Sequence, residues 1–126
     1  MIILLVEDHT DTRMVLSSLL GRSGYRIITA NRVREALELL KHMRFDILLS
    51  DLGLPDGDGL EVVVKAKALQ PNIRTIALTA RGSEKDHQLG LEAGFDHYLT
   101  KPFDLHQLRS ALGGRNGAEE LRESKV

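Results

Sequence analysis

Five short runs of apolar residues recur along the chain, and several of them are almost uninterrupted. They occupy positions 2–6, 26–30, 45–50, 75–79 and 97–100. A strand with one solvated face alternates apolar and polar residues, whereas a strand covered on both faces is apolar at nearly every position. The runs therefore predict strands of a parallel sheet with helices on both sides.

The segments between the runs predict five helices. The clearest stripe follows a candidate cap at Asn31 and contains Val33, Ala36, Leu37 and Leu40. The other residues expected to face the sheet are Val15, Leu16, Leu19 and Leu20 in a helix over 10–23, Val62, Val63, Ala66 and Leu69 in a helix that ends before Pro71, and Leu105, Leu108 and Leu112 in the last helix. Asp104 and Gln107 predict a capping box at the start of that last helix.

The fourth helix, over 83–93, is the most polar of the five. Leu89 and Leu91 are the main residues left for packing, so we expect this helix to be loosely held. Strands alternating with helices predict a doubly wound α/β domain whose ligand site lies at the carboxyl ends of the strands. Residues 1–113 are expected to form this domain, and residues 114–126, rich in Gly, Arg and Glu, a linker or flexible C-terminal tail.

Composition excludes several classes of function. The chain has 126 residues and no cysteine, which fits one domain without disulfides or thiolate metal sites. Its formal net charge is −1 with the charges mixed along the sequence, so direct nucleic acid binding is not expected. No run approaches the roughly 20 apolar residues of a membrane span, so we expect a cytoplasmic domain without membrane contact.

Polar residues with related chemistry lie at the end of, or directly after, four of the five apolar runs. They are Glu7 and Asp8, Asp51, Thr79, and Lys101. A single Asp after a strand is most often a turn or cap residue. Together, however, these ends supply the acids, the hydroxyl and the ammonium that phosphoryl transfer requires, which favours a shared site.

The acids in this set indicate a hard divalent cation. Three carboxylates in one pocket repel one another unless a cation lies among them, and oxygen ligands without a Cys or His cluster favour Mg²⁺ (or Mn²⁺) over zinc. Lys101 and Thr79 can bind phosphoryl oxygens. Asp51 follows the most continuously apolar run and is the candidate nucleophile, because aspartyl phosphate is an established covalent intermediate.

The motifs LLVEDH, LLSDLGLPDGDG, IALTA and YLTKPF give the chain a family resemblance. In order and spacing they resemble the CheY-like receiver domains of two-component response regulators and hybrid sensor histidine kinases, over residues 2–112. The resemblance implies a (βα)5 flavodoxin-like fold with strand order 2-1-3-4-5.

The resemblance also implies a role for each matching residue. Asp51 corresponds to the phosphoacceptor, Glu7 and Asp8 to the metal-binding acids, and Gly53 to the position whose backbone carbonyl completes the metal shell. Thr79 and Lys101 correspond to the pair that senses the phosphoryl group.

Three further positions match the family pattern. Tyr98 corresponds to the switch aromatic that moves with Thr79, and Lys101-Pro102 to a peptide that is usually cis. Arg81 occupies a position that tunes phosphate lifetime in relatives. The surface of the fourth helix, fifth strand and fifth helix is the expected output surface, and a homodimer through it is left open.

The function implied is Mg²⁺-dependent phosphorylation of Asp51 in a His-Asp phosphorelay, with a histidine kinase or histidine phosphotransfer protein as partner. The amino-acid sequence of the motifs favours the receiver part of a hybrid kinase, and a stand-alone or truncated response regulator is the alternative. Such a receiver catalyses only its own phosphorylation and dephosphorylation. An aspartyl-phosphate phosphohydrolase is the nearest enzymatic rival, because the same nucleophile and metal serve both chemistries.

Overall fold

The computed structural model describes residues 1–113 of the chain. The predicted linker or tail, 114–126, lies outside the described residues. Within 1–113, the helices are too short or too polar to cross a membrane.

Five parallel strands form the main sheet, as the apolar runs predicted. They are β1 (Ile2–Val6), β2 (Arg26–Ala30), β3 (Ile47–Ser50), β6 (Arg74–Thr79) and β7 (His97–Thr100), in the order β2-β1-β3-β6-β7. Two residue pairs, β4 (Gly53–Leu54) and β5 (Gly57–Asp58), form a separate antiparallel ladder after β3. With that ladder set aside, the order is the expected 2-1-3-4-5.

The helices are α1 (Thr10–Arg22), α2 (Val33–His42), α3 (Gly59–Leu69), α4 (Glu84–Ala93) and α5 (Leu105–Gly113). Alternate residues of β1 enter opposite cores: Leu4 packs with residues of α2 and α3, and Leu5 with residues of α1 and α5. Both leucines are 0% exposed. Two covered faces explain why the runs in β1 and β3 are almost continuously apolar.

Four of the predicted core positions are wrong. Val15 and Leu69 are 57% and 45% exposed, and Leu89 and Leu91 of α4 are 43% and 55% exposed. The buried residues of α1 are Leu16 and Leu20. An apolar stripe read from sequence includes residues at its margin, and in these helices the margin faces outward.

A distant side chain caps helix α2 in place of the predicted Asn31. The N-cap residue is Arg32, whose side chain makes no capping bond. The carboxylate of Asp56 instead accepts hydrogen bonds from the amides of Val33, at 2.6 Å, and Arg34, at 3.0 Å. The Arg34 amide is the main cause that lowers the pKa of Asp56. The loop after β3 is thereby tied to α2.

The other predicted cap is confirmed. Asp104 Oδ1 accepts from the Gln107 amide at 2.7 Å, and Gln107 Oε1 accepts from the Asp104 amide at 2.9 Å. This reciprocal pair satisfies two donors at the start of α5.

Candidate functional site

The carboxyl ends of β1 and β3 bring three acidic residues together. Val6 pairs with Ser50 at the ends of these adjacent strands, so Glu7 and Asp8 follow one strand where Asp51 follows the other. Glu7 is 2% exposed and Asp51 is 8% exposed. Carboxylates buried to this degree need hydrogen bonds or counter-charges.

Both oxygens of the Asp51 carboxylate have donors. Oδ1 accepts from the amides of Leu52 and Gly53, at 2.7 and 3.2 Å. Oδ2 accepts from the ammonium of Lys101 at 3.0 Å. The carboxylate is therefore held in one orientation at the strand end.

Lys101 reaches the acids from the end of β7. Its Nζ lies 2.7 Å from Glu7 Oε1 and 3.0 Å from Asp51 Oδ2. Burial favours a lower pKa for Lys101, but the hydrogen bonds and charges of Glu7 and Asp51 outweigh burial and raise it. The ammonium therefore stays charged at neutral pH, as a group that binds anionic oxygens must.

The acidic residues also fit a divalent cation. Ligand atoms of Glu7, Asp8, His9 and Asp51 lie within 4.8 Å of one another. Asp8 Oδ1 is buried without a hydrogen-bond partner in the described part of the chain. A buried carboxylate oxygen that lacks a donor is costly unless a cation approaches it. Oxygen donors of this kind suit Mg²⁺, Mn²⁺ or Ca²⁺.

Gly59 sets the position of the Asp51 backbone. A β-carbon at Gly59 would overlap with the carbonyl oxygen of Asp51 and lie 2.9 Å from Leu52 Cα. The Gly59 amide donates to the Leu52 carbonyl at 2.9 Å. Glycine is required here because the start of α3 lies directly against the phosphoacceptor candidate's backbone.

Thr79 and Tyr98 are connected through Arg81. The buried Thr79 hydroxyl accepts from the Arg81 amide at 3.2 Å, and the Tyr98 hydroxyl donates to the Arg81 carbonyl at 2.6 Å. The Arg81 guanidinium pairs with Asp58 Oδ2 at 3.1 Å. One residue of the β6–α4 loop thus contacts the hydroxyl, the aromatic residue and the loop on the other side of the site.

The ring of Tyr98 is held by α4. Its centroid lies 4.1 Å from that of His87, and a hydrogen bond of 3.0 Å joins His87 Nε2 to Thr100 Oγ1. Gly90, the buried residue of α4, leaves the space that the ring occupies. Helix α4 therefore packs through a glycine and a histidine.

The remaining predicted positions lie at the same edge of the sheet. The Gly53 amide donates to Asp51 Oδ1, and the Lys101-Pro102 peptide is cis. The Lys101 amide also donates to the Thr79 carbonyl at 2.7 Å, which fixes the ends of β6 and β7 together.

Sequence reasoning missed three residues around the site. His9 lies against the acids, and its adjacency to Glu7 and Asp8 was the available signal. Asp58 and His87 were missed because their partners, Arg81 and Tyr98, are distant in sequence.

Comparison with known proteins gives a consistent family. The model described as response regulator receiver domain matches residues 3–113. Sensor histidine kinase RcsC of Escherichia coli is 35% identical over 125 residues, which cover 99% of this chain and 13% of the kinase. The transcriptional regulatory protein CpxR of E. coli K12 is 43% identical over 108 residues, 84% of this chain and 45% of CpxR. The chain thus spans less than half of either relative.

Solved structures agree. The receiver domain of sensor histidine kinase PA1611 from Pseudomonas aeruginosa, with a magnesium ion in its active-site cleft, superposes with a TM-score of 0.81 at 32% identity, covering 93% of this chain and 97% of that one. A Burkholderia pseudomallei response regulator with a phosphorylated aspartic acid, calcium and citrate has a TM-score of 0.84 at 29% identity, covering 98% and 72%. With this fold and this set of strand-end residues, the chain belongs to the response regulator receiver domain family.

Proposed function

We propose that Asp51 accepts a phosphoryl group from a phosphohistidine of a histidine kinase or histidine phosphotransfer protein. The observation that carries this proposal is the Asp51 carboxylate, buried and held between two backbone amides and the Lys101 ammonium. Receiver domains interact with such partners, and the Burkholderia relative contains a phosphorylated aspartic acid.

The transfer exchanges one bond for another. The P–N bond of the phosphohistidine breaks as a P–O bond to Asp51 forms, and the departing imidazole takes up a proton. Lys101 neutralises charge on the phosphoryl oxygens, and the Thr79 hydroxyl can donate to one of them. Glu7, Asp8, Asp51 and the Gly53 carbonyl would hold Mg²⁺ or Mn²⁺, which when bound supplies further charge neutralisation.

The response would pass through Thr79 to Tyr98. A Thr79 hydroxyl recruited by the phosphoryl group would change its bond with the Arg81 amide, and the Arg81 carbonyl holds the Tyr98 hydroxyl. The surface formed by α4, β7 and α5 would change because Tyr98 packs on α4. We propose this surface as the output surface and as the site of any phosphorylation-dependent homodimer.

We propose that the domain acts in the cytoplasm as the receiver part of a hybrid sensor histidine kinase. The alignment with RcsC over 99% of this chain supports this context. The alignment with CpxR supports the alternative, a response regulator that is not part of a kinase.

Incubation with acetyl phosphate and Mg²⁺ tests the central step. Wild type should gain one phosphoryl group by mass spectrometry, labile to hydroxylamine as an acyl phosphate is, and Asp51→Asn should gain none. Asp11→Asn, a change of an exposed acid on α1, is the matched control and should label normally. Labelling of Asp51→Asn at another residue would contradict the assignment.

Two further readouts separate the alternatives. A slowly decaying phosphoprotein supports a receiver, whereas rapid multiple turnover of varied phosphate esters supports a phosphohydrolase. Rapid, reversible exchange of the phosphoryl group with a histidine phosphotransfer protein supports the hybrid-kinase context, and transfer that runs only onto Asp51 opposes it.

A further inference from the structure

His9 lies directly beside the acidic residues and carries a different kind of ligand atom. Its Nδ1 is 3.4 Å from Glu7 Oε2 and 3.4 Å from Asp8 Oδ1. Its amide donates to Glu7 Oε2 at 3.3 Å, so backbone and ring both turn toward this carboxylate. One ring nitrogen of His9 belongs to the same group of potential ligand atoms, all within 4.8 Å, as a carboxylate oxygen of Asp51.

The neighbour of this imidazole is the carboxylate oxygen that lacks a donor. Asp8 Oδ1 is buried without a hydrogen bond within residues 1–113 although His9 Nδ1 is 3.4 Å away. A cation that approaches the Asp8 oxygen therefore comes within reach of the imidazole. The His9 side chain is 72% exposed, so its ring has room to adjust.

The chemistry of imidazole distinguishes between cations. Mg²⁺ requires oxygen ligands in a strict geometry and keeps several waters, and it gains little from a nitrogen donor. Mn²⁺, Co²⁺ and Zn²⁺ accept imidazole together with carboxylates, and Co²⁺ binds more tightly than Mn²⁺ in most sites. A histidine next to this acidic pair thus favours transition ions.

We propose that His9 is an additional metal ligand that makes this site prefer divalent transition ions over Mg²⁺. The inference rests on the metal site of the proposed function and specifies its ion preference. The alternative is that His9 is a solvated residue that only contacts Glu7 and Asp8. If His9 is a ligand, removal of its ring should lower the affinity for Co²⁺ more than the affinity for Mg²⁺. If His9 is only a solvated residue, its removal should not change the affinity for Co²⁺ relative to that for Mg²⁺.

Metal binding measured without any phosphoryl donor tests the proposal. The 126-residue wild-type chain, His9→Ala and the control His106→Ala would be titrated with Co²⁺ by visible absorption, and with Mn²⁺ by electron paramagnetic resonance, with Mg²⁺ as competitor. His106 is exposed on α5, outside the acidic group. His9→Ala should bind Co²⁺ about tenfold or more weakly and change Mg²⁺ affinity less than about twofold. His106→Ala should match wild type.

A spectroscopic readout shows ligation directly. Electron spin echo modulation of bound Mn²⁺ should show ¹⁴N coupling in wild type and none in His9→Ala. Absence of nitrogen coupling in wild type, or equal loss of Co²⁺ and Mg²⁺ affinity in His9→Ala, would overturn the proposal. Either result would leave phosphorylation of Asp51 with Mg²⁺ intact, so failure of the two proposals can be distinguished.

Discussion

The Tyr98 hydroxyl donates to the Arg81 carbonyl across 2.6 Å while the Tyr98 ring lies over Gly90 of α4. Burial, with the nearby charge of Asp86, raises the pKa of the Tyr98 hydroxyl, so it remains a donor throughout the physiological range. Tyr98 is thus held at its hydroxyl by the β6–α4 loop and at its ring by α4. Its position should depend on both contacts.

Gly90→Ala should displace the Tyr98 ring. A β-carbon at Gly90 would lie 2.8 and 2.9 Å from two ring carbons of Tyr98, so either the Tyr98 ring or α4 must shift. We expect a loss of about 1–3 kcal/mol in the free energy of unfolding and a changed Tyr98 ring resonance by NMR. Gly21→Ala in α1, with nothing within 4 Å of the new carbon, is the control and should be neutral or stabilising. An unchanged Tyr98 resonance in Gly90→Ala would contradict this account of the packing.

Gly59→Ala should disturb Asp51 itself. The atoms that a β-carbon would meet are backbone atoms of Asp51 and Leu52, which cannot rotate away. We expect a loss of at least about 2 kcal/mol in unfolding by urea, and weaker labelling of Asp51 in the fraction that folds. Gly57→Ala, whose nearest atoms are side-chain atoms at 3.3 and 3.4 Å, should cost less. Equal costs for the two variants would argue against the close approach of α3.

Lys101→Ala should destabilise the domain in a metal-dependent way. Without the ammonium, the carboxylates of Glu7 and Asp51 remain buried without that counter-charge. Because Lys101 is one-quarter exposed, we expect a loss of about 2 kcal/mol, below the ~3–5 kcal/mol of a fully buried pair. Unfolding measured with EDTA and with Mg²⁺ should show the deficit shrink in Mg²⁺. Lys65→Ala, an exposed change on α3, should show neither effect.

His97 should make stability fall on mild acidification. Burial and the adjacent Arg74 guanidinium, whose Nη2 donates to His97 Nε2 at 2.7 Å, lower the pKa of His97 below 6.5. A histidine whose pKa is lower in the folded than in the unfolded state stabilises the folded state at pH values above its unfolded-state pKa. That stabilisation is lost as the pH falls through its folded-state pKa. The free energy of unfolding should therefore decline from pH 7.5 to 5, and His97→Gln should decline less. His42→Gln, at an exposed histidine of α2, should keep the wild-type decline.

The sheet and the charged part of the site could be predicted because their signals lie in short stretches of sequence. Uninterrupted apolar runs follow from burial on both faces, and parallel strands end at one edge, which brings Asp51, Glu7 and Lys101 together. The packing of α4 could not be predicted in this way. Gly90 has no side chain that could contribute to an apolar pattern, so the pattern indicates the exposed Leu89 and Leu91 as core residues instead.

Contacts between residues distant in sequence also could not be predicted from local sequence patterns. Asp56 caps α2 although it lies 23 positions from Val33, whereas the sequence next to the helix indicates Asn31 as the cap. The pair of Asp58 with Arg81 also spans 23 positions. Such contacts depend on how loops from different parts of the chain pack together, and the sequence next to either partner does not indicate them.

The anchoring of the loop after β3 gives the site an asymmetry. Asp56 ties this loop to α2, Asp58 caps α3 by accepting from the Leu60 amide, and Gly59 holds α3 against Asp51. The opposite wall depends on the hydrogen bonds of Arg81 and the packing of Tyr98. We therefore expect a phosphoryl group bound at Asp51 to displace the side of the site formed by Arg81 and Tyr98 more readily than the side formed by α3. The direction in which a signal would leave the site then depends on which wall of the site is more firmly held. Substitutions on the α2 side should change the free energy of unfolding more than they change the response to phosphorylation.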